Sequence, residues 1–295
     1  MAKAAKAASY TVVTPVRDEE EHIQRTVDSI VAQTVRPTRW VIVNDGSKDR
    51  TGPVADEAAR AHPWIRAVHR PDRGFRKAGG GVIDAFYDGY SLIENEAADY
   101  VVKLDGDLCF DRDYFERCFH EFDRDQRLGI GGGTVCKSGG ASLEVESKIS
   151  PRFHVRGATK IYRRACWEQI GGLMRAPGWD TLDEVKANML GWSTRTFSDI
   201  KLVQLRLTGA AYGAWNDRVK GGLGNYIAGY HPLFMFLRCV RRMAERPYFL
   251  GGCGLMFGYL KGYALGVPQV EDKNLIRYFR QQQINRLLGR SSLWD

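Results

Sequence analysis

Several signatures that would assign this sequence to a class at once are missing. No stretch reaches the ~18 uncharged apolar residues of a membrane-spanning helix; the nearest case, Pro247 to Leu260, is too short and contains four glycines. The N-terminus has no apolar central region, so we predict no secretory signal and a disordered tail over residues 1–8. No two of the six cysteines are two or three positions apart, which excludes a zinc knuckle or a CxxC redox pair. Scattered cysteines of this kind favour reduced core residues in a cytoplasmic protein.

The net charge of +8 and the pI near 9.2 favour acidic partners, such as phosphates, nucleic acids or an anionic membrane surface. No helix-turn-helix, zinc-finger or single-strand-binding signature accompanies this charge, so we expect no nucleic-acid partner. A dehydrogenase is not favoured either, because Gly-x-Gly-x-x-Gly does not follow the first apolar run.

Apolar runs alternate with helical patterns in the first half of the chain, and this alternation predicts βαβ units with a mostly parallel sheet. The predicted strands are Tyr10–Thr14, Trp40–Asn44, Ile65–His69 and Tyr100–Leu104. Ligands of such sheets bind beyond the carboxyl ends of the strands. Polar clusters occupy these ends at 15–19, 44–47, 70–77 and 105–107, which predicts a nucleotide-type site.

The last of these clusters, Asp105-Gly106-Asp107, has the chemistry of a metal site. Two carboxylates one residue apart at the end of a buried strand can reach one ion, and hard oxygen ligands suit Mg²⁺ or Mn²⁺. A polar turn is the alternative interpretation. An acidic pair against a buried strand end is costly without a cation, which favours metal binding.

Three segments, Val12 to Glu20, Val43 to Thr51 and Lys103 to Asp107, resemble a family 2 glycosyltransferase in order and spacing. The resemblance extends to Ile170-Gly-Gly172 and Trp179 to Glu184, and covers roughly residues 9 to 205. It implies the GT-A fold, which is Rossmann-like with a mostly parallel sheet and flanking helices. It also implies inverting transfer of a sugar from a nucleotide-diphosphate donor, most often a UDP sugar but also GDP or dTDP sugars.

By the same resemblance, the donor would be bound by residues from all four strand ends. The implied nucleotide-sugar-binding residues are Thr14, Pro15, Val16, Arg17, Glu19, Asp45, Arg73, Arg76, Lys77, Asp105 and Gly106. The metal ligands would be Asp105 and Asp107. Two ordinary interpretations stay open: Asp45-Gly46 also favours a simple turn, and 73–81 could be a solvated basic loop.

The general base implied by the resemblance is an acidic residue some 70–80 positions after the metal motif. Asp183 is our first choice, with Glu184 and Asp180 as alternatives, because the usual order of Glu then Asp is not kept here. Stabilisation of a helix N-terminus by these acids is the competing interpretation. Gln204-Leu-Arg206 only partly resembles the Gln-x-x-Arg-Trp motif of processive members, so we expect a non-processive enzyme.

We expect a catalytic domain over residues 9–210, with a nucleotide-sugar half at 9–110 and an acceptor half at 111–210. A helical extension that is basic and rich in aromatic residues should follow at 211–295. Its composition suits either an interfacial segment on an anionic inner membrane leaflet or a helical pair packed on the core. The acceptor would be a glycan or a polyprenyl-linked glycan of cell-surface polysaccharide or glycolipid biosynthesis. A nucleotidyltransferase is the alternative enzyme, although it usually carries glycines and Lys or Arg directly after the first strand.

Overall fold

The structure is a computed structural model that describes residues 8–74, 80–139, 142–145, 151–206, 214–244 and 248–295. The chain divides into two compact units. The first lies within residues 1–172 and 190–206, and the second within 173–189 and 207–295. None of the helices in the described ranges has the length and apolar character needed to cross a membrane.

The first half of unit 1 is a parallel βαβ arrangement, as the alternation of the sequence predicts. Its elements are β1 (Tyr10–Val16), α1 (Ile23–Val31), β2 (Arg39–Asn44), α2 (Thr51–Ala61), β3 (Ile65–His69), α3 (Gly80–Tyr90) and β4 (Tyr100–Leu104). Strand β1 pairs in parallel with β2 and β4, and β2 pairs in parallel with β3. The carboxyl ends of these strands therefore meet at one edge of the sheet.

Beyond β4 the sheet becomes mixed, so the expectation of a mostly parallel sheet holds only for the first half. The remaining elements of this unit are β5 (Leu108–Phe110), α4 (Tyr114–Arg124), β6 (Leu128–Gly139), β7 (Ser142–Val145), β8 (Thr159–Arg163), α5 (Arg164–Ile170) and β9 (Ser193–Gln204). Strand β8 runs antiparallel to both β4 and β6, and β9 runs parallel to β6 and antiparallel to β5. The strand order is β3-β2-β1-β4-β8-β6-β9-β5, with β7 added beside β6.

Burial explains why these segments fold as strands and helices. Val12, Val16 and Ile42 alternate along β1 and β2 and share one core with Ile23 and Ile30 of α1. Alternate strand residues face one side of a sheet, whereas residues seven apart on a helix return to the same face. None of the six cysteines forms a disulfide, and four of them are buried, which agrees with the expected core role.

Unit 2 is helical in its described residues, which confirms the expected character of the C-terminal region. It contains α6 (Trp179–Met189), α7 (Ala214–Ile227), α8 (Pro232–Met243), α9 (Leu250–Ala264) and α10 (Lys273–Leu287). Glycines allow α7 and α9 to pack backbone against backbone: a Cβ on Gly222 would lie 2.0 Å from the carbonyl oxygen of Leu255. On the other side of this contact, a Cβ on Gly258 would lie 1.9 Å from the carbonyl oxygen of Val219.

Helix α6 belongs with the helical unit, although the sequence places it inside the expected 9–210 domain. Its apolar residues Leu182 and Val185 are fully buried in a cluster with Tyr226, Leu275 and Phe279. This packing groups residues 173–189 with the C-terminal helices. Because α6 begins at Trp179, Asp183 and Glu184 lie inside the helix and not at its first residue.

Candidate functional site

Hydrogen bonds from main-chain N–H groups to side-chain oxygens join the loops that follow β1 and β2. The N–H of Asp18 donates to Ser47 Oγ (3.0 Å), and the N–H of Glu19 donates to Thr51 Oγ1 (2.8 Å). In return, Asp18 Oδ1 accepts from the N–H of Lys48 at 3.0 Å. The first two predicted polar clusters therefore form one structured rim at the carboxyl edge of the sheet.

Asp45 lies at the centre of this rim and is only 7% exposed. Its Oδ1 accepts from Arg70 Nη1 at 2.6 Å, and its Oδ2 forms an ion pair with Arg73. Arg17 Nη1 donates to the main-chain oxygen of Asp45 at 3.0 Å. The carboxylate thus holds two guanidinium groups in place, and the rim offers several cationic donors to a phosphate-bearing ligand.

The third cluster joins the rim through Asp72. Arg17 Nη2 donates to Asp72 Oδ1 at 2.7 Å, and Lys48 Nζ lies 3.3 Å from Asp72 Oδ2. The N–H of Gly74 and the Arg17 guanidinium lower the pKa of the Asp72 carboxyl to about 2. Gly46 permits this approach, since its φ is +72° and a Cβ there would lie 2.5 Å from Asp72 Cα.

The Asp105-Gly106-Asp107 turn follows β4 and is fixed by α1 and β1. The hydroxyl of Thr26, which is fully buried on α1, donates to the main-chain oxygen of Gly106 at 2.9 Å. The same hydroxyl accepts from the N–H of Leu108 at 3.0 Å. A Cβ on Gly106 would lie 2.4 Å from Cγ1 of Val16, so this close approach to β1 requires glycine.

Each carboxylate of this turn is oriented by one neighbouring side chain. Lys103 is 2% exposed; its Nζ pairs with Asp105 Oδ1 and also donates to the main-chain oxygen of Gly157 at 2.6 Å. Asp107 is 5% exposed, and its Oδ2 accepts from Gln204 Nε2 at 3.0 Å. Burial, and then the neighbouring charge of Asp105, raise the pKa of Asp107. Lys103 is thus a cation that the protein itself places beside this acidic pair.

These carboxylates fit a divalent ion. Asp107 Oδ1 is buried and has no hydrogen-bond partner among the described residues, and hard oxygen atoms suit Mg²⁺ and Mn²⁺. Among those same residues, no cluster of three His, Cys, Asp or Glu side chains forms a complete metal site. An ion at this turn would therefore take the rest of its ligands from water and from a bound phosphate, as Mg²⁺ commonly does.

Three of the predicted donor-binding residues have buried side chains. Thr14 is fully buried, and its Oγ1 accepts from the indole N–H of Trp40 at 2.9 Å, so its side chain faces the core. Pro15 and Val16 are also buried at the end of β1. Arg76 and Lys77 lie outside the described residues.

Glu19 connects the rim to the end of β9. Arg206 Nη1 lies 3.2 Å from Glu19 Oε1, and Arg206 Nη2 donates to the main-chain oxygen of Asp18. The Gln204-Leu-Arg206 segment is therefore part of the site in unit 1, although its sequence only partly resembles a processive motif. Gln204 contacts the acidic turn, and Arg206 contacts the loop after β1.

The acidic residues of α6 belong to unit 2. Asp180 lies in the first turn, where the helix dipole favours an acid, and it is half-buried. Asp183 is 1% exposed and Glu184 is fully buried, one turn further into the helix. Stabilisation of the helix N-terminus thus accounts for Asp180, but it does not account for two buried carboxylates in the helix interior.

Sequence reasoning missed four side chains that shape this site: Thr26, Arg70, Lys103 and Gln204. A signal existed for Lys103, because a lysine within an apolar strand two positions before Asp105 must share a face with it. Arg70 follows β3 directly and could have been included with Arg73. Thr26 carried no local signal, and the partial motif at Gln204 did not indicate its contact with Asp107, because the partners of both residues are 80 or more positions away.

The sequence model of glycosyl transferase family 2 matches residues 11–175, more than half of the chain. The chain belongs to glycosyltransferase family 2. The matched range holds the rim, the acidic turn and Lys103, whereas Gln204 and Arg206 lie beyond it. Membership of this family argues against the alternative functions, a nucleotidyltransferase or a nucleic-acid-binding protein.

Relatives with curated names match less than half of the chain. The uncharacterized glycosyltransferase EpsJ of Bacillus subtilis (strain 168) is 28% identical over 123 residues, which are 42% of this chain and 33% of EpsJ. The chondroitin synthase of Pasteurella multocida (strain Pm70) is 31% identical over 118 residues, which are 40% of this chain and 11% of the synthase. The alignments span a third or less of the length of these relatives.

Solved structures support the GT-A fold over nearly the whole chain. The mannosyltransferase PcManGT of Pyrobaculum calidifontis, in complex with GDP-Man and Mn²⁺, aligns with a TM-score of 0.55 at 14% identity, covering 97% of this chain and 89% of that chain. S. aureus TarS 1–349 in complex with UDP-GlcNAc aligns with a TM-score of 0.52 at 15% identity, covering 94% of this chain and 81% of that chain. At such identities the likeness concerns the fold alone.

The contact between Gln204 and Asp107 gives a direct test of the acidic turn. We expect Gln204→Leu to lower kcat/KM for sugar transfer by about 10- to 100-fold, because outer-shell partners orient metal-binding carboxylates. Gln24→Leu is the matched control, since it removes a glutamine that also bonds an aspartate, Asp28, but on the exposed face of α1. Equal kinetics for the two variants would show that the Gln204 bond does not orient the turn.

Proposed function

We propose that this glycosyltransferase moves a sugar from a nucleoside-diphosphate donor to a hydroxyl acceptor, with inversion, using a divalent ion held by Asp105 and Asp107. The unpartnered, buried Oδ1 of Asp107 is the observation that carries the proposal. When bound, Mn²⁺ or Mg²⁺ would neutralise the charge that develops on the leaving diphosphate.

The rim supplies what the donor needs besides the ion. Arg70 and Arg73 are held by Asp45, and Arg17 is held by Asp72, so their guanidinium groups are pre-positioned before a phosphate arrives. The structurally similar mannosyltransferase binds GDP-Man and the similar TarS binds UDP-GlcNAc. We propose a UDP sugar as the first candidate donor and GDP or dTDP sugars as alternatives.

The metal role predicts the behaviour of two variants. Asp105→Asn and Asp107→Asn should each lower kcat/KM by about 100- to 1,000-fold, because the leaving group loses its charge stabilisation. Mn²⁺ binding should weaken in parallel. It is measured, with nucleoside diphosphate present, as the decrease of the free Mn²⁺ signal in electron paramagnetic resonance. Asp111→Asn, four residues after Asp107, is the control. Unchanged Mn²⁺ binding in both site variants would refute the metal assignment.

Asp183 is our proposed general base. The acceptor hydroxyl must lose its proton while it attacks the anomeric carbon, and a carboxylate within hydrogen-bond reach can accept that proton. Direct attack with a single base leads to inversion, by the logic that inverting glycosidases follow. The burial of Asp183 and Glu184 inside α6 supports a chemical role for this pair over a capping role.

Asp183→Asn should keep donor affinity and lose turnover by about 100- to 10,000-fold, because a base acts on the acceptor proton. Single-turnover kinetics and calorimetric titration with the nucleoside diphosphate separate these two effects. Glu184→Gln and Asp180→Asn are the comparators. Normal turnover of Asp183→Asn, with loss in Glu184→Gln, would move the base by one residue.

The acceptor we propose is a glycan or a polyprenyl-linked glycan, extended in a non-processive manner during cell-surface polysaccharide or glycolipid synthesis. The relatives named chondroitin synthase and hyaluronan synthase support a polysaccharide context. The absence of a complete Gln-x-x-Arg-Trp motif after Gln204 supports the non-processive mode.

Peripheral contact with an anionic membrane on the cytoplasmic side is the second part of the proposal. Of the large apolar side chains that are exposed in the described residues, twelve of fourteen lie in unit 2. Leu233, Phe236, Leu237 and Val240 follow the spacing of one face of α8, while Tyr226, Tyr230 and Tyr259 are buried. The region therefore has a packed core and, in addition, an apolar surface next to Arg241 and Lys261, which suits a lipid interface.

Liposome flotation tests this contact. We expect binding to anionic vesicles, none to neutral vesicles, and weakening by salt. Phe236→Ser with Phe257→Ser should abolish flotation, because both rings are more than half exposed in unit 2. Leu92→Ser with Leu190→Ser, which removes two exposed leucines of unit 1, is the control. Absence of flotation at low salt, together with full activity on a water-soluble acceptor, would contradict the proposal.

A further inference from the structure

Unit 2 contains a cavity of about 510 Å³ whose lining includes no residue of α6. One side is a face of α10, with Lys273, Arg277, Arg280 and Gln281 at helical spacing. His231, the residue before α8, and Gln269 complete the polar lining. A cavity of this volume is in the range of small-molecule sites.

The charge of this lining is uniformly positive. Lys273 and Arg277 are one turn apart, and Arg280 follows three residues later, so like charges meet along one helix face. Such pairs destabilise a helix, whereas a solvated helix face usually alternates the two signs. None of the described lining residues is acidic. The nearest acid in sequence, Asp272, accepts from the N–H of Leu275 at the start of α10 and lies 4.0 Å from Lys186.

The cations are also available to a ligand. Within the described part of the chain, the side chains of Lys273 and Arg277 have no ion-pair partner, and both are exposed. Arg280 is half-buried, and its Nε donates to the main-chain oxygen of Gly229 at 2.8 Å, which fixes the guanidinium group. The cavity thus combines one oriented arginine with two exposed cationic groups that have no ion-pair partner among the described residues.

His231 adds a hydrogen-bond donor to the lining. Its Nδ1 accepts from the N–H of Leu233 at 3.2 Å. Burial, and then the positive charge of Arg280, lower the pKa of His231, so the ring is neutral at pH 7. A neutral ring that accepts through Nδ1 carries its proton on Nε2, which leaves Nε2–H to donate.

We propose that this cavity binds the phosphate or diphosphate group of a small molecule or lipid headgroup, at a site separate from the metal-dependent donor site. Arg277, Arg280 and Lys273 would balance the charge of the ligand. The paired N–H groups of a guanidinium match two phosphate oxygens in geometry. The side-chain amides of Gln269 and Gln281 can bond hydroxyl groups of the molecule that carries the phosphate. The proposal does not depend on the transfer chemistry, so either can fail alone.

Calorimetric titration with inorganic pyrophosphate, in the presence of a chelator, tests the site without a metal at Asp105 and Asp107. We expect Lys273→Gln with Arg277→Gln to weaken pyrophosphate binding at least tenfold. The control double variant, Arg66→Gln with Arg290→Gln, removes the same charge from two exposed positions outside the cavity and should bind as the unmodified protein does. The free energy of unfolding should be similar in all three proteins, because none of the four side chains is buried.

A second arm distinguishes the two sources of the phosphate. Vesicles with phosphatidic acid present a phosphomonoester, whereas vesicles of equal charge with phosphatidylglycerol do not. If the protein prefers phosphatidic acid and the Lys273→Gln, Arg277→Gln protein loses this preference, the ligand is a lipid headgroup. If the double variant loses only pyrophosphate binding, the ligand is a soluble phosphate. Absent pyrophosphate binding, or equal binding by both double variants, would overturn the proposal. The proposed function is tested separately, by measuring sugar transfer from a nucleotide sugar to a soluble acceptor with the Lys273→Gln, Arg277→Gln protein.

Discussion

The buried carboxylate of Asp107 is the constraint on which the site of unit 1 depends. Removing a carboxylate from water is costly unless hydrogen bonds or a cation replace the lost solvation. The protein supplies one bond from Gln204 and leaves the other oxygen without a partner among the described residues. The protein therefore replaces only part of the lost solvation of this carboxylate, and a cation with open coordination positions would replace the rest.

Meeting this constraint requires elements that are remote in sequence. Strand β9 brings Gln204 beside the acidic turn because Leu108 of β5 pairs with Gln204 in antiparallel register. Helix α1 brings Thr26, which bonds the main chain on both sides of Asp107. Strand β1 approaches so closely that only glycine fits at position 106. A change in the register of β9 would thus alter the electrostatics of the turn.

The two aspartates at the centres of the rim and the turn differ in how they are compensated. Asp45 is paired with Arg70 and Arg73, and it fixes guanidinium groups that suit an anion. At the turn, Lys103 pairs directly with Asp105, whereas the hydrogen bond that the described residues supply to Asp107 comes from a neutral amide. The turn therefore keeps a net negative charge that suits a cation. A complex of a metal ion and a diphosphate requires groups that suit an anion beside groups that suit a cation.

The sequence predicts local features well because they depend on short-range patterns. The strands Ile65–His69 and Tyr100–Leu104 match the structure, since apolar β-rich runs are bounded by polar residues. The change to a mixed sheet at β8 depends on pairing between β4 and a strand about 60 residues later, which no local pattern encodes. The contact of Gln204 with Asp107 spans 97 positions and was invisible for the same reason. Lys103 was visible, because a charge within a buried strand has to be explained by a partner.

The basic charge of the chain cannot be explained by the rim of unit 1. Residues 207–295 contain twelve Lys and Arg against five Asp and Glu, and so carry nearly all of the net charge of +8. The arginines of the rim, in contrast, are largely matched by Asp45 and Asp72. Positive charge in unit 2 lies both beside exposed apolar helix faces and around a cavity, which is the basis for proposing anionic partners there. In unit 1, by contrast, the arginines of the rim are paired with carboxylates and the turn keeps a negative charge.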